Sequence, residues 1–310
     1  ESGDIEVHID DDAGLGPGLG GRGMTGNTGG TVQKARPPAG AATRPAVAGN
    51  IDPFLAIAID SERSEFYTVG MRTDARNRQV GELRRYSYPD FRGQPKGFNL
   101  PYPGTRAVVD SKNGMLFVAT ATNQNQMRDV YFQAFDRVSV VGDVQVFDLK
   151  PIQDGKVNDG ADLKPIATMA MTGTVRGLEL TSDGKFLMVA VTRSVAGSQP
   201  KTFIRKYEAA DRKFIKELAL PEQAATVHKT ADGSKLVAVE FDPSMKKPKT
   251  KVTLIDPIAL ELGKKLNAPG IATDAAADET GFAMGVAGQP ERNQMNFKGT
   301  LHYLEESSGE

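Results

Sequence analysis

The chain contains no cysteine. Disulfides, thiolate metal sites and a cysteine nucleophile are therefore excluded. Charge of one sign is also lacking: 38 basic and 39 acidic residues leave a net charge of −1. No global field draws in DNA, RNA or anionic membranes, so nucleic acid is not an expected partner. No apolar run approaches the ~20 residues of a membrane span. There are three histidines, His8, His228 and His302, and no two share a ligand spacing such as His-x-His. They read as ordinary strand histidines, and no metal or other cofactor is expected. The chain opens at Glu1 rather than Met, as a processed chain or a fragment would.

One phrase is present five times. An apolar strand, a short Asp/Ser/Gly turn and a second apolar strand recur as LAIAIDSERSEFYTVG (55–70), AVVDSKNGMLFVATA (107–121), LELTSDGKFLMVAVT (178–192), VHKTADGSKLVAVEF (227–241) and ATDAAADETGFAMGV (272–286). The turn residues Asp60, Asp110, Thr181, Thr230 and Ala277 are separated by 50, 71, 49 and 47 residues. Asn113-Gly114, Asp183-Gly184 and Asp232-Gly233 supply the positive φ that tight hairpins need. A hairpin repeating at this interval predicts an all-β fold, a β-propeller with about five recognisable four-stranded blades over 51–310. Phe66, Leu116, Phe186, Leu236 and Phe282 are expected at one recurring position, packing blade on blade.

Two further strands are expected in each repeat. An outer one reads GELRRYSY (81–88), DVQVFDL (143–149), FIRKYEA (203–209), KVTLIDP (251–257) and TLHYLEE (300–306). The inner strand of the next unit reads GFNLP (97–101), PIATMAM (165–171), FIKELAL (214–220) and KKLNAPG (264–270). The count is nineteen strands, with the first blade lacking its inner strand. Ala46–Asn50 or DIEVHID (4–10) is a candidate to supply it.

T-S-D-G-K-F-L-M-V-A (181–190), taken with V-x-V-F-D-L-type strands, resembles the YVTN/lactonase-like (WD40-like) β-propeller superfamily over roughly 51–306. The chain departs from the pattern in having five units where such relatives commonly have seven. It also has no tryptophan, unlike strict WD-type blades. The resemblance implies fold more than activity, since the superfamily holds lactonases, binding modules and scaffolds.

Residues 1–50 are different in kind. Positions 14–30 hold nine glycines in seventeen residues, followed by Pro37, Pro38 and Pro45. Such a segment has too little side chain to offset its ordering entropy, and reads as a low-complexity arm. DIEVHID alternates like a short strand. GLGPGLGG lacks the Lys-Ser/Thr of a phosphate loop. Asp10-Asp11-Asp12 lacks the alternate-position pattern of a calcium loop and reads as a solvated turn.

The remaining candidates are surface features. An insertion in the second blade, at about 121–143, carries Tyr131, Phe132 and Phe135 on a local apolar face and is a candidate partner contact. A lysine loop with Lys246, Lys247 and Lys249 is a candidate contact for acidic groups. Arg72, Arg76, Arg78, Arg84 and Arg85 form a second basic group, in which Arg84 and Arg85 point to opposite faces of one strand. Asp148 and Asp256 sit at equivalent strand ends and are expected to cap turns. No catalytic constellation is found. The expected function is a non-catalytic binding or scaffold module, a subunit of an extracytoplasmic or surface assembly built by self-association or with other proteins. The alternative is a lactonase-like hydrolase, or a small-ligand or sugar-binding propeller, that uses the central channel.

Overall fold

The computed structural model describes residues 54–73, 79–88, 96–121, 142–193, 200–230, 232–241, 250–268, 271–277, 281–287 and 299–305, the last three stretches by their backbone pairing. The first sheet runs β1 (Phe54–Asp60), β2 (Glu65–Thr73), β3 (Gln79–Ser87), β4 (Lys96–Leu100). The second is β5 (Gly104–Asp110), β6 (Met115–Ala121), β7 (Gly142–Asp148), β8 (Ala167–Ala170), with a helical turn α1 (Lys150–Gln153) after β7. The third is β9 (Thr174–Leu180), β10 (Phe186–Arg193), β11 (Lys201–Glu208), β12 (Phe214–Ala219). The fourth is β13 (Gln223–Lys229), β14 (Leu236–Phe241), β15 (Thr250–Asp256), β16 (Glu261–Ala268). The fifth has three strands among the described residues, β17 (Ile271–Ala277), β18 (Gly281–Ala287) and β19 (Gly299–Glu305).

Each sheet is an antiparallel meander. Its first strand packs on the first strand of the next sheet: β1 on β5, β5 on β9, β9 on β13, β13 on β17. Successive meanders sharing an inner edge are the blades of a β-propeller. Strands 97–101, 165–171, 214–220 and 264–270 are thus the outermost strands of their own blades, not inner strands of the next. The first blade is complete. The blade one strand short is the fifth, where β19 stands at the edge among the described residues.

Strand periodicity of two gives each blade two apolar faces, and a face is buried where a neighbouring blade packs on it. Tyr67, Leu83 and Phe98 of the first blade pack on Val109, Leu116 and Phe147 of the second. Phe117, Val144 and Met169 meet Leu178, Leu187 and Val189. Met188 and Ile204 meet Val227 and Leu236. Leu116 and Leu236 therefore hold the expected inter-blade position. Phe186 does not. Its place is taken by Leu187, which pairs with Leu180 as Leu116 pairs with Val109. A slip of one residue moves a side chain to the other face. Phe186 is half-buried, with the Lys206 ammonium 3.8 Å from its ring centroid. The side chain of Phe282 lies outside the described residues.

Two turn chemistries close the inner hairpins. In the first two blades a buried aspartate accepts from the turn: Arg63 N to Asp60 Oδ1 at 3.3 Å, Asn113 N to Asp110 Oδ1 at 3.2 Å. In the third and fourth a threonine hydroxyl donates to an aspartate two residues on, Thr181 to Asp183 at 2.7 Å and Thr230 to Asp232 at 2.6 Å. The turns are also tied to one another. Arg63 Nη1 donates to Ser111 O (2.6 Å), Lys112 Nζ to Asp183 O (3.2 Å) and Ser182 Oγ to Gly233 O (3.2 Å). Asp148 and Asp256 cap as expected, accepting from Lys150 N at 2.9 Å and from Ile258 N at 2.7 Å. Residues 159–163 cover the outer edge of β4, where Asn99 N donates to Ala161 O and Leu163 N to Asn99 O, both at 2.9 Å. An edge covered this way offers no template to another chain.

Candidate functional site

The five innermost strands share a bulge near their starts. Pairing with the second strand skips a residue at Leu55, Thr105, Arg176, Ala225 and Thr273. Beyond the bulge the strands are in step, so residues at equal distance before the turn lie side by side around the channel. Three such layers line one cavity of about 220 Å³. Its walls are Ile57, Ala107, Leu178 and Val227, one residue from each of the first four blades. Ala56 and Arg106 form a second layer, and Glu179 and His228 a third.

The layers replace apolar residues by polar ones at chosen blades. Glu179 and His228 occupy the place held by Ala58 and Val108 in the first two blades. Arg106 stands where the first, third and fourth blades have Ala56, Gly177 and Thr226. Gly177 is required there. A Cβ at this position would lie 2.5 Å from Val227 O and 2.8 Å from Val227 Cβ, so glycine sets how closely β9 and β13 approach.

That approach brings His228 Nδ1 to 3.8 Å from Glu179 Oε1. His228 Nε2 lies 2.6 Å from Thr226 Oγ1. The imidazole is thus held between the Glu179 carboxylate on its Nδ1 side and the Thr226 hydroxyl, hydrogen-bonded at Nε2. Hydroxyl, imidazole and carboxylate in this order have the form of an activated nucleophile. Thr226 is only 1% exposed, however, and its hydroxyl has no open side for a substrate. What the arrangement does is fix the imidazole, with one edge toward the cavity. Arg106 is half-buried and anchored by Nη1 to Thr105 O at 2.8 Å. The cavity therefore offers a guanidinium, an imidazole and a carboxylate on rigid strands, against an aliphatic wall. Among the described residues no group of three or more His, Asp or Glu converges to hold a metal ion.

The other sequence candidates fall elsewhere. Tyr131, Phe132, Phe135, Lys246, Lys247 and Lys249 lie outside the described residues, as do Arg76 and Arg78. The expected insertion falls between β6 and β7, where residues 122–141 lie outside the described residues. Arg84 and Arg85 do part to opposite faces: Arg84 Nη2 meets Glu82 at 2.9 Å, while Arg85 pairs with Glu65 and donates to Ile152 O at 2.9 Å. Arg72 lies 2.5 Å from Asn99 Oδ1. These described arginines act in structure. Sequence reading passed over Arg106 and Glu179 and gave His228 no role. The available signal was vertical, a polar residue at a repeat position that is apolar in neighbouring blades.

No family model matches the sequence, and no curated relative matches it. Solved structures do resemble it. Kuenenia stuttgartiensis hydrazine synthase aligns at 13% identity and a TM-score of 0.49, over 79% of this chain and 77% of that one. The β-propeller domain of the trilobed protease from Pyrococcus furiosus aligns at 12% identity and a TM-score of 0.47, over 83% and 70%. The WD40 domain of Neurospora crassa Pan2 aligns at 11% identity and a TM-score of 0.46, over 81% and 62%. The fold assignment rests on the blade topology itself. No helix among the described residues is long and apolar enough to cross a membrane.

Proposed function

We propose that this chain is a non-catalytic β-propeller binding module, of YVTN-like type, that takes a small polar ligand in the channel cavity. The observation that carries this is the convergence of Arg106, Glu179 and His228 from three successive inner strands on one cavity of about 220 Å³. An arginine and an imidazole suit an anionic group, a carboxylate suits hydroxyls, and the aliphatic wall suits a sugar-ring face. A sugar acid combines all three. Hydrolysis is the weaker reading, because the hydroxyl beside His228 is buried.

A protein-binding reading, with the chain as a subunit of an extracytoplasmic assembly, is favoured by a separate observation. Ile57 and Ile59 on the first blade are 61% and 64% exposed. Their equivalents in the third blade, Leu178 and Leu180, are buried by the preceding blade.

Ligand binding is tested by thermal unfolding of the protein with gluconate, galacturonate and the matching neutral sugars, in wild type and in Arg106→Ala and His228→Ala. A ligand at 100 times its Kd adds about 2.7 kcal/mol, which a melting curve resolves. The expected result is a rise in Tm with acidic sugars that both substitutions abolish. No rise, or a rise that survives Arg106→Ala, overturns the assignment.

A further inference from the structure

Five glycines in the chain follow an asparagine or an aspartate: Gly114, Gly155, Gly160, Gly184 and Gly233. All five have positive φ. Four of them donate their N–H to a backbone carbonyl: Gly155 to Ile152 at 3.1 Å, Gly160 to Gly97 at 2.7 Å, Gly184 to Thr181 and Gly233 to Thr230 at 2.8 Å. Each of these four follows an aspartate. Gly114 follows Asn113, the one Asn-Gly pair in the sequence. Among the described residues its N–H donates to no acceptor, while its carbonyl accepts from Leu149 N at 2.8 Å.

We propose that Asn113 is a covalent modification site, whose side-chain amide is lost through attack by the Gly114 nitrogen and whose acidic product loosens the ties of the second blade. Gly114 N gives up its proton to hydroxide and bonds to Asn113 Cγ. The Cγ–Nδ2 bond breaks, and Nδ2 leaves as ammonia with a proton from water. Water then opens the five-membered imide at either carbonyl, giving aspartate or isoaspartate. The net change is amide plus water to acid plus ammonia, so no oxidant or cofactor is consumed. The nucleophile has no hydrogen bond to lose first. It carries no side chain, and even a Cβ on Gly114 would meet nothing within 4 Å. Asn113 itself is exposed to the water that the reaction needs. At Asp183 and Asp232 both partners are restrained. The glycine N–H is bonded, and the carboxylate is held ionised by hydrogen bonds, first from Thr181 and from Ser234, so it repels a nucleophile.

The place of the change gives it a consequence. Asn113 Nδ2 donates to Asp110 Oδ2 at 2.7 Å, and Asn113 N to Asp110 Oδ1 at 3.2 Å. Asp110 is only 4% exposed. A carboxylate in place of the amide turns the shorter bond into a contact between two anions, which drives the pair apart. Isoaspartate also lengthens the main chain by one atom and moves the Gly114 carbonyl that Leu149 N uses. The same short turn accepts from Arg63 through Ser111 O and reaches the third blade through Lys112 Nζ. One altered residue therefore sits among the links to both neighbouring blades. In the first blade the equivalent place, three residues after Asp60, holds Arg63, a cation that pairs with the aspartate at 3.1 Å and has no amide to lose.

The test incubates the full chain at mildly alkaline pH, folded and in guanidinium chloride, and follows its peptides by mass and by isoaspartyl methyltransferase labelling. Folding should slow the loss of the Asn113 amide less than tenfold, because no protecting bond has to open. It should slow isoaspartate formation at the four Asp-Gly pairs more than tenfold. Asn113→Gln, which cannot close a five-membered ring, should keep its amide. The converted protein, separated by charge, should exchange the Leu149 amide at least fivefold faster than the unconverted protein, while β14 and β15 keep their protection. Asn113→Asp should reproduce that loss, and Asp110→Asn/Asn113→Asp should reverse it. Protection of Asn113 by tenfold or more in the folded chain overturns the site. Less than a fivefold change of Leu149 exchange on conversion overturns the effect on the ties. If Asn113→Asp does not fold, the wild-type time course and its separated product decide both points. None of these outcomes depends on whether the channel cavity binds a ligand.

Discussion

Replacing Gly177 by alanine tests both the packing of the inner strands and the cavity they form. The added methyl would stand 2.5 Å from Val227 O and 2.8 Å from Val227 Cβ. Ordinary contact between such atoms begins near ~3.5 Å, so β13 must retreat by about 1 Å. A backbone carbonyl cannot swing aside as a side chain can. Overpacking of this kind costs about 1–3 kcal/mol. Alanine returns about 0.4–1 kcal/mol by restricting the unfolded chain. The net loss should be about 1–2 kcal/mol, which for a domain of this size lowers Tm by roughly 2–8 °C. Gly97→Ala is the control. A Cβ there meets nothing closer than 3.5 Å, so Tm should stay level or rise. Thermal unfolding of the three proteins compares them. The same retreat carries His228 away from Glu179, so Gly177→Ala should also weaken sugar-acid binding. If Gly177→Ala melts at or above wild type, the claim that glycine sets the β9–β13 approach is wrong.

Two further outcomes follow from buried and exposed polar groups. The Tyr67 hydroxyl is buried, donates to Glu65 Oε2 at 2.7 Å and accepts from Gln153 Nε2 at 3.2 Å. Burial, aided by Glu65, pushes its pKa well above the usual tyrosine range. Tyr67→Phe leaves both partners short of a bond and should cost about 1–3 kcal/mol in urea unfolding; a loss under about 0.5 would show that water replaces the hydroxyl. At the turns, Asp183 is held down to about 2, first by the Thr181 hydroxyl, and Asp232 to about 2, first by Ser234 and then by Thr230. Folded pKa values below the ordinary 3.8 mean stability that is full above about pH 4 and is lost as pH falls toward 2. Tm measured from pH 5 to 2 should fall less steeply in Asp183→Asn/Asp232→Asn than in wild type, and parallel curves would count against this role.

The fold was largely legible because each hairpin repeats a local code: turn residues, alternation and a fixed interval. The nineteen strands expected are also the number found among the described residues. What did not come through was partnership. Strand 97–101 lies between two hairpins in sequence, and nothing in its residues says that it pairs backward with β3 rather than forward. Phe186 was misplaced for a different reason. A large aromatic beside an Asp-Gly turn looks like core, yet the count from Thr181 gives the inter-blade place to Leu187. The cavity was the least visible. Arg106, Glu179 and His228 are a blade or more apart, and only the propeller's geometry turns equal positions in successive repeats into neighbours.

The ties between turns have a direction. In each described link the donor, Arg63, Lys112 or Ser182, belongs to the earlier blade, and the accepting carbonyl, of Ser111, Asp183 or Gly233, to the later one. During synthesis each of the first three blades therefore emerges with a turn donor whose acceptor has not yet been made. At roughly 5–20 residues per second, a repeat of about 50 residues leaves it waiting some 3–10 s. A nascent chain paused one blade short would expose a basic or hydroxyl donor at its turn, together with an apolar face awaiting its cover. The order of the sequence is thus also an order of completion.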